Sequence, residues 1–430
     1  MANQPDASPA LIRVVRPDDD LDAYLDLAER SFGPRSPGER DQWRRSTADV
    51  IAQGRCLGAF VGERLVGSAV IHDMRQWWRG RAVPMAGVSS VQVAPEDRGR
   101  GIARRLMAAL LDEVAAQGYP LSVLYPATMP LYRSLGWELA GARDTALIPA
   151  RSLRDLVPPD PVIAAPEPDL AARSPRLRRA TPGDAEAVIS IIGRVHEAAR
   201  DCGPITWDVP LAERWLGRAD MYTYRTADGY AAYRWDGAGD DALFVEHLHA
   251  ASPESLRALW SVIASHSSTA SAVRLYTAPD DPFWWLTRER DATIVKRSMW
   301  MLRVVDAPAA IAARGFPPAV SLSVPLVISD RTRPANSGRW QLSVSDGKGI
   351  LIQNGPVSSP ATAASAPDGG HPGADSSRAL TVGARGLAAL YAGTPVSTLR
   401  LAGLAVGGAP DADAALDAAF AATPFMVDEF

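Results

Sequence analysis

Residues 11–20 read LIRVVRPDDD and residues 177–186 read LRRATPGDAE. Each is a short apolar and basic alternation, then a proline, then an acid. Each leads into a helical pattern, LDAYLDLAERSF in the first case and AEAVISIIGRVHEAAR in the second. An aspartate after such a turn is a natural N-cap, because its side-chain oxygen satisfies an orphan helix N–H. We read the recurrence as an internal duplication. No other feature limits the fold as much. A chain of 430 residues is too long for one core, and here two stretches open alike. The first unit spans about residues 9–150 and is assigned as a domain over 1–155. The segment VPPDPVIAAPEPDLAARSP is rich in Pro and Ala and reads as a linker, 156–175. The second unit covers 176–306, and a third domain covers 317–430.

Unit one continues with RCLGAFVGERLVGSAVIHDMRQWW, which reads as a strand, a Gly-Glu turn and a second strand. VPMAGVSSVQVAP follows, then a helix from about Gly101 to Gln117, then YPLSVLYP as a strand. MPLYRSLGWELAG reads as a short helix turning into a strand. In unit two, MYTYRT and GYAAYRW are expected strands around Asp228-Gly229. LFVEHLHAASPESLRALWSVIASH then occupies the place of unit one's strand-to-helix crossing, with Leu256, Leu259, Trp260 and Ile263 at helical spacing. The third domain begins with strand-like AVSLSVPLVISD and GRWQLSVSDGKGILIQNG. SSPATAASAPDGGHPGADSS is a low-complexity loop, expected to be mobile. LTVGARGLAALYAG, VSTLRLAGLAVGG and DADAALDAAFAATPF suggest a strand or helix and then helices, before the closing MVDEF.

The net charge of −4 argues against bulk nucleic-acid binding. Two cysteines, Cys56 and Cys202, are too few for a disulfide framework or a zinc site. No apolar run is long enough to span a membrane, and MANQPDASPALIRVVRP lacks the segments of a signal peptide. A cytoplasmic location is expected.

Chemistry concentrates in SSVQVAPEDRGRGIARRLMAALLDEVAAQG. An apolar strand meets Pro95, two acids, then Arg98-Gly99-Arg100-Gly101, then a helix whose stripe is Ile102, Leu106, Ala109/Leu110 and Val114. A helix N-terminus exposes unpaired N–H groups and positive dipole, and glycines let backbone approach an anion. Such a tetrad alone is more often a solvated turn, and its flanks decide. Arg98-x-x-Gly101-x-Ala103 follows VSSVQVAP and precedes PLYRSLGW by about thirty residues. This resembles the GCN5-related N-acetyltransferase (GNAT) family, in which Arg/Gln-x-x-Gly-x-Gly/Ala holds the pyrophosphate of acetyl-CoA. The resemblance implies a preceding strand splayed by a bulge, whose free N–H groups bind the pantetheine arm and polarise the thioester carbonyl. Those groups would be the backbones of Val91, Gln92 and Val93. Gly99, Arg100, Gly101, Ile102, Ala103 and Arg104 would line the diphosphate with Arg98, and Ala127 and Thr128 would touch the cosubstrate again. Tyr132, alone readable as a packed aromatic beside Trp137, would be the general acid to the departing thiolate. Unit two has Ala251-Ser252-Pro253-Glu254-Ser255 where unit one has its tetrad, and is expected not to bind acetyl-CoA.

Across the whole chain, an active unit, a degenerate copy and a sterol-carrier-like third domain resemble the Eis ("enhanced intracellular survival") family of aminoglycoside N-acetyltransferases. The implied fold is mixed α/β (α+β): tandem GNAT folds, the N-terminal one active and the central one degenerate, and a sterol-carrier-protein-2-like C-terminal domain. The resemblance implies a cationic aminoglycoside acceptor, a homohexamer, and the α-carboxylate of Phe430 as general base. Asp428, Glu429 and that carboxylate beside an aromatic anchor would hold a polyamine; read alone, such a segment is a frayed end. A protein lysine or small polyamine acceptor stays open, as does an apolar-ligand carrier built on the third domain. His247 and His249 lie two apart on a strand without a clear third ligand, so a structural role is expected, with no metal. His72 and Asp73 end a strand near the acceptor cleft, Trp77 and Trp78 wall a pocket or pack, and Asp18 to Asp20 with Asp22 form a helix cap and solvated face.

Overall fold

The computed structural model describes residues 10–158, 175–236, 241–355 and 379–430. Most of the expected linker and the low-complexity loop lie outside the described residues.

The repeated openings fold alike except at the cap: Asp184 precedes the helix Ala185–Ala199 but makes no side-chain bond to its N–H groups, because Arg178 and Thr181 N–H occupy the carboxylate. Asp20 caps the helix Leu21–Phe32 by accepting from the N–H groups of Asp22 and Ala23 at 2.9 and 3.1 Å. Asp19 pairs with Arg13 at 2.6 and 2.7 Å, and Asp184 pairs with Arg178 in the same six-residue spacing. In both units the arginine of the alternation bonds the acid past the proline. Each acid is held down to about 2, first by that arginine.

Both units share one thirteen-stranded sheet. Its order is Leu11–Val14, Cys56–Val61, Arg64–Trp78, Arg81–Val93, Leu121–Leu124, Thr293–Val304, Glu138–Pro149, Ala272–Thr277, Ala242–Ala250, Gly229–Trp235, Tyr222–Arg225 and Arg178–Arg179, with Cys202–Thr206 paired to Arg64–Trp78. The last strands of the two units are exchanged. Thr293–Val304, from unit two, pairs antiparallel with Leu121–Leu124 of unit one through Met301↔Leu124 to Val304↔Leu121. Glu138–Pro149, from unit one, pairs with Ala272–Thr277 of unit two. The run Trp300 to Val304, four apolar residues and Arg303, is buried and explains the insertion.

A second sheet of five strands forms the third domain: Lys348–Gly355, Gly338–Ser345, Leu322–Ser329, Leu380–Gly383 and Ala405–Gly407. Its helix Ala384–Tyr391 packs on Thr293–Val304 and Glu138–Pro149. Arg303 and Asp330 lock the domains together, both fully buried, with Arg303 Nη2 donating to Asp330 Oδ2 at 2.6 Å and Nε to Leu135 O at 3.1 Å. Arg314 is buried among Trp78, Phe316, Tyr391 and Phe420, whose rings it faces at 4.7 to 5.4 Å.

Candidate active site

Arg81–Val93 positions the site. It pairs in parallel with Leu121–Leu124 from Met85↔Leu121 to Val88↔Leu124, and that pairing stops there. On its other edge the register with Arg64–Trp78 slips between Ser68 and Val70, opposite Ser89 to Gln92. Ser90 at the slip has φ 51°, a left-handed residue in a strand. From Ser89 to Val93 the strand therefore has one edge without a strand partner among the described residues. Val91 is half-buried; Gln92 is buried, its Nε2 donating to Ser68 Oγ at 2.7 Å.

The strand runs through a 3₁₀ turn, Pro95–Asp97, into the tetrad and then the helix Ile102–Ala116. Gly99 and Gly101 have φ 76° and 75°, which L side chains rarely adopt, and a Cβ at either would meet only open space. Gly101 is the N-cap residue, so no side chain satisfies the first N–H groups of this helix. In unit two, Ser252 caps the matching helix Pro253–Ala264 by accepting from Ser255 N. The Ser255 hydroxyl donates in turn to the Asp228 carboxylate, so unit two brings its own anion to the equivalent terminus. Behind the tetrad, buried Asp97 accepts from Arg64 and Arg100, each at 2.7 Å. Arg98 Nε donates back to Val93 O at 3.2 Å, and Arg104 is exposed. Ile102 is buried and Ala103 half-buried; Ala127 and Thr128 are exposed before the short helix Met129–Arg133. The uncapped terminus and open glycines fit a diphosphate.

Tyr132 lies in the core that also holds Val88, Leu106 and, at its margin, Val91. Its ring meets Trp137 edge-on at 6.4 Å. Burial pushes its phenol up to about 12, so it is protonated at neutral pH.

A cleft of about 690 Å³ opens between the two units. Residues 424–430 thread into it. Phe425 bridges Ala142 in parallel, and its N–H donates to Cys202 O at 3.0 Å. A Cβ on Gly203 would collide with Phe425 O, and a Cβ on Gly87 would lie 2.9 Å from the Phe430 ring. Tyr125 O–H donates to Asp428 O at 2.9 Å, Trp207 Nε1 to Asp428 Oδ1 at 2.9 Å, and Arg143 Nη2 to Glu429 Oε2 at 2.7 Å. Met426, Val427 and Asp428 are buried, so this segment is seated rather than frayed. The strand that leads to the tetrad thus also carries Phe430, against Gly87. Sequence reasoning missed Tyr125, Arg143, Trp207, Gly87 and Gly203; each acts on a partner far along the chain, and no local spacing marks them.

Other expectations resolve plainly. His72 and Asp73 line the cleft, but they stand mid-strand in Arg64–Trp78, not at a strand end; the run of pairs from Gly67 to Trp78 carries the strand past them. Trp77 and Trp78 are buried and pack, bonding Thr206 Oγ1 and Gln76 Oε1. His249 stands 5.8 Å from His247 and 5.1 Å from a third imidazole, His196. His247 Nδ1 bonds the Tyr230 hydroxyl and His196 Nδ1 bonds Asp201, so these rings serve the interior. Among the described residues no group of three or more ligand side chains could hold a metal, and no helix is long and apolar enough to cross a membrane.

A splayed strand running into an uncapped, glycine-opened helix defines a GCN5-related N-acetyltransferase. Family models agree: acetyltransferase (GNAT) domains match residues 12–140 and 206–304, and a sterol carrier protein domain matches 307–427. The N-acetyltransferase Eis of Mycobacterium bovis is 31% identical over 345 residues, 77% of this chain and 82% of that protein. An uncharacterized N-acetyltransferase of Streptomyces avermitilis is 30% identical over 79% of this chain and 83% of its own. The chain belongs to the Eis family of N-acetyltransferases. Among solved structures, a GCN5-related N-acetyltransferase from Kribbella flavida superposes with a TM-score of 0.84 at 39% identity, over 99% of this chain and 100% of that one. Eis1 from Mycobacterium abscessus shares the fold, with a TM-score of 0.72 at 24% identity over 98% of this chain and 100% of that one. GNAT acetyltransferases use acetyl-CoA, and an N-acetyltransferase acts on amines.

Proposed function

We propose that unit one transfers the acetyl group of acetyl-CoA directly to an amine of a cationic acceptor of the aminoglycoside class. One observation carries the reading: the strand Arg81–Val93 both feeds the uncapped helix and carries the seated Phe430 in the cleft. In this reading Arg98 to Arg104 hold the diphosphate, with Ala127 and Thr128 at its margin, and the N–H groups of Val91, Gln92 and Val93 hold the pantetheine arm and the developing oxyanion. Tyr132 protonates the leaving thiolate. The burial that raises the phenol raises a thiol expelled beside it as well, which keeps the transfer matched. The Phe430 carboxylate takes the ammonium proton.

Charge supports a cationic acceptor. Seven acidic side chains line the cleft against five arginines. Arg55, Arg143, Arg218 and Arg234 already pair with Asp73, Glu429, Asp220 and Glu246. Asp49 and Asp208 form no ion pair among the described residues, and of the lining arginines only Arg214 shares that state. Trp215, half-buried and packed on Trp207 at 4.8 Å, lines the cleft with an aromatic ring. The same resemblance implies a homohexamer, and the cysteine count and N-terminal sequence carry the expectation of a cytoplasmic location. A screen of aminoglycosides, lysine peptides and small polyamines, with thiol release and mass counting of acetyl groups, tests the reading. Preference for lysine peptides or polyamines would refute the aminoglycoside assignment, and no transfer to any amine would refute the whole.

A further inference from the structure

His72 lies opposite Gly87 in the strand pair Arg64–Trp78 and Arg81–Val93. Its imidazole lines the acceptor cleft, with its ring centroid 6.1 Å from that of Phe430. Its Nε2 stands 2.7 Å from Ser89 Oγ. Ser89 is the first residue beyond Val88, where pairing with Leu121–Leu124 stops, and it precedes the left-handed Ser90. One hydrogen bond therefore joins the acceptor cleft to the opening of the splay, the two places between which an acetyl group must pass. A hydroxyl has a proton to give and lone pairs to receive one, and a neutral imidazole can take what it gives. Burial, reinforced by the Arg55 guanidinium, pushes the imidazole down to about 4, so the ring is neutral at neutral pH, and Nε2 accepts from Ser89 in the tautomer that carries its proton on Nδ1. The charged groups around it are largely mutually engaged: Arg55 with Asp73 at 3.1 Å and Arg143 with Glu429 at 2.7 Å, beside Asp428 and the Phe430 carboxylate.

We propose that Ser89 and His72 form a proton relay that removes the second proton from the acceptor nitrogen as the amide forms. The proposal rests on the acetyl-transfer reading above. An ammonium acceptor must lose two protons. The first leaves before attack and falls to the Phe430 carboxylate. The nitrogen lone pair then forms the C–N bond, and the nitrogen becomes positive. Its remaining surplus proton is now far more acidic than that of a free ammonium, so a base of depressed pKa suffices. Ser89 Oγ receives that proton and passes its own to His72 Nε2. The C=O re-forms, the C–S bond breaks, and the thiolate takes a proton from Tyr132. Of the two protons lost by nitrogen, one restores Tyr132 and one reaches the water of the cleft.

The test uses the full chain, acetyl-CoA and the best acceptor of the screen. His72→Gln and Ser89→Ala are expected to lower kcat by roughly a hundredfold, with the acetyl-CoA KM unchanged. In His72→Ala, imidazole added to the buffer is expected to restore turnover at least about tenfold, and to leave Ser89→Ala unmoved. Wild-type kcat in His72→Gln overturns the relay. So does a loss in His72→Ala that imidazole does not touch, or a change confined to acceptor KM, since either marks a structural role. Should the alanine variant fail to fold, kcat in His72→Gln and Ser89→Ala decides. A wild-type protein that acetylates amines while these variants match it sinks the relay alone. A wild-type protein inert toward every amine sinks both readings.

Discussion

Replacing Asp428 by Asn should make the seating of residues 424–430 independent of pH. Asp428 is 7% exposed, with Trp207 Nε1 donating to its Oδ1 at 2.9 Å and His247 Nε2 standing 3.6 Å from the same oxygen. Burial raises its carboxyl from 3.8 to about 7, and the bond from Trp207 and the charge of Arg143 offset only part of that. A released segment returns the carboxyl to water and to its usual value. Between about pH 4 and 7 the released form is ionised and the seated form protonated. The stability that Asp428 lends to seating is thus full below the released value. It falls by about 1.4 kcal/mol, a factor of ten, per pH unit as pH rises, and is gone above about 7. The whole span is worth on the order of 4 kcal/mol. His247, pushed down to about 3 by burial, His196 and Arg218, stays neutral in the seated form across this range. Carboxypeptidase release of Phe430 reads the released fraction. Normalised to a free peptide ending in Asp-Glu-Phe, wild-type release should climb roughly a hundredfold from about pH 5 to 7 and then level. Asp428→Asn keeps an oxygen for Trp207, has no proton to lose, and should give a flat profile. Parallel profiles for the two proteins would refute the reasoning.

Tyr132→Phe should lower kcat by about a hundredfold or more while acetyl-CoA affinity holds, and unchanged turnover removes the phenol from the mechanism. Gly101→Val forces a β-branched residue to φ 75° at the helix entrance; that strain, roughly 1–3 kcal/mol, should weaken acetyl-CoA binding about tenfold or more by calorimetry. The same titration should find one cosubstrate per chain, since Ser252 and Asp228 close the second helix terminus; two per chain would contradict that closure. Arg303→Met removes the counter-charge of the buried Asp330 carboxylate, which keeps only its bonds from Thr332, Arg333 and Asn336, and should cost about 3–5 kcal/mol in denaturant unfolding.

What the sequence disclosed was local. The bulged strand is what the family resemblance implies, whereas the Asp20 cap and the glycine-opened helix follow from residues within a few positions of one another. Such features announce themselves through capping chemistry and turn composition. The acceptor side stayed hidden because its partners are hundreds of residues apart: Tyr125 with Asp428, Arg143 with Glu429, Trp207 with Asp428. Nothing in DCGPITW says that Gly203 makes room for Phe425. The sequence reading ends a strand at His72 and Asp73, yet pairs run past both to Trp78.

The exchanged strands govern how the molecule is made. Leu121–Leu124 and Glu138–Pro149 leave the ribosome with no neighbour between them, because Thr293–Val304 has yet to be synthesised. At typical elongation rates that gap lasts on the order of ten to thirty seconds. Throughout it the nascent catalytic unit holds two open strand edges, the form of backbone most prone to pair with a stranger. The degenerate copy is therefore no dispensable passenger. Its final strand closes the sheet of unit one, and a message truncated before it would release that unit with both edges still open.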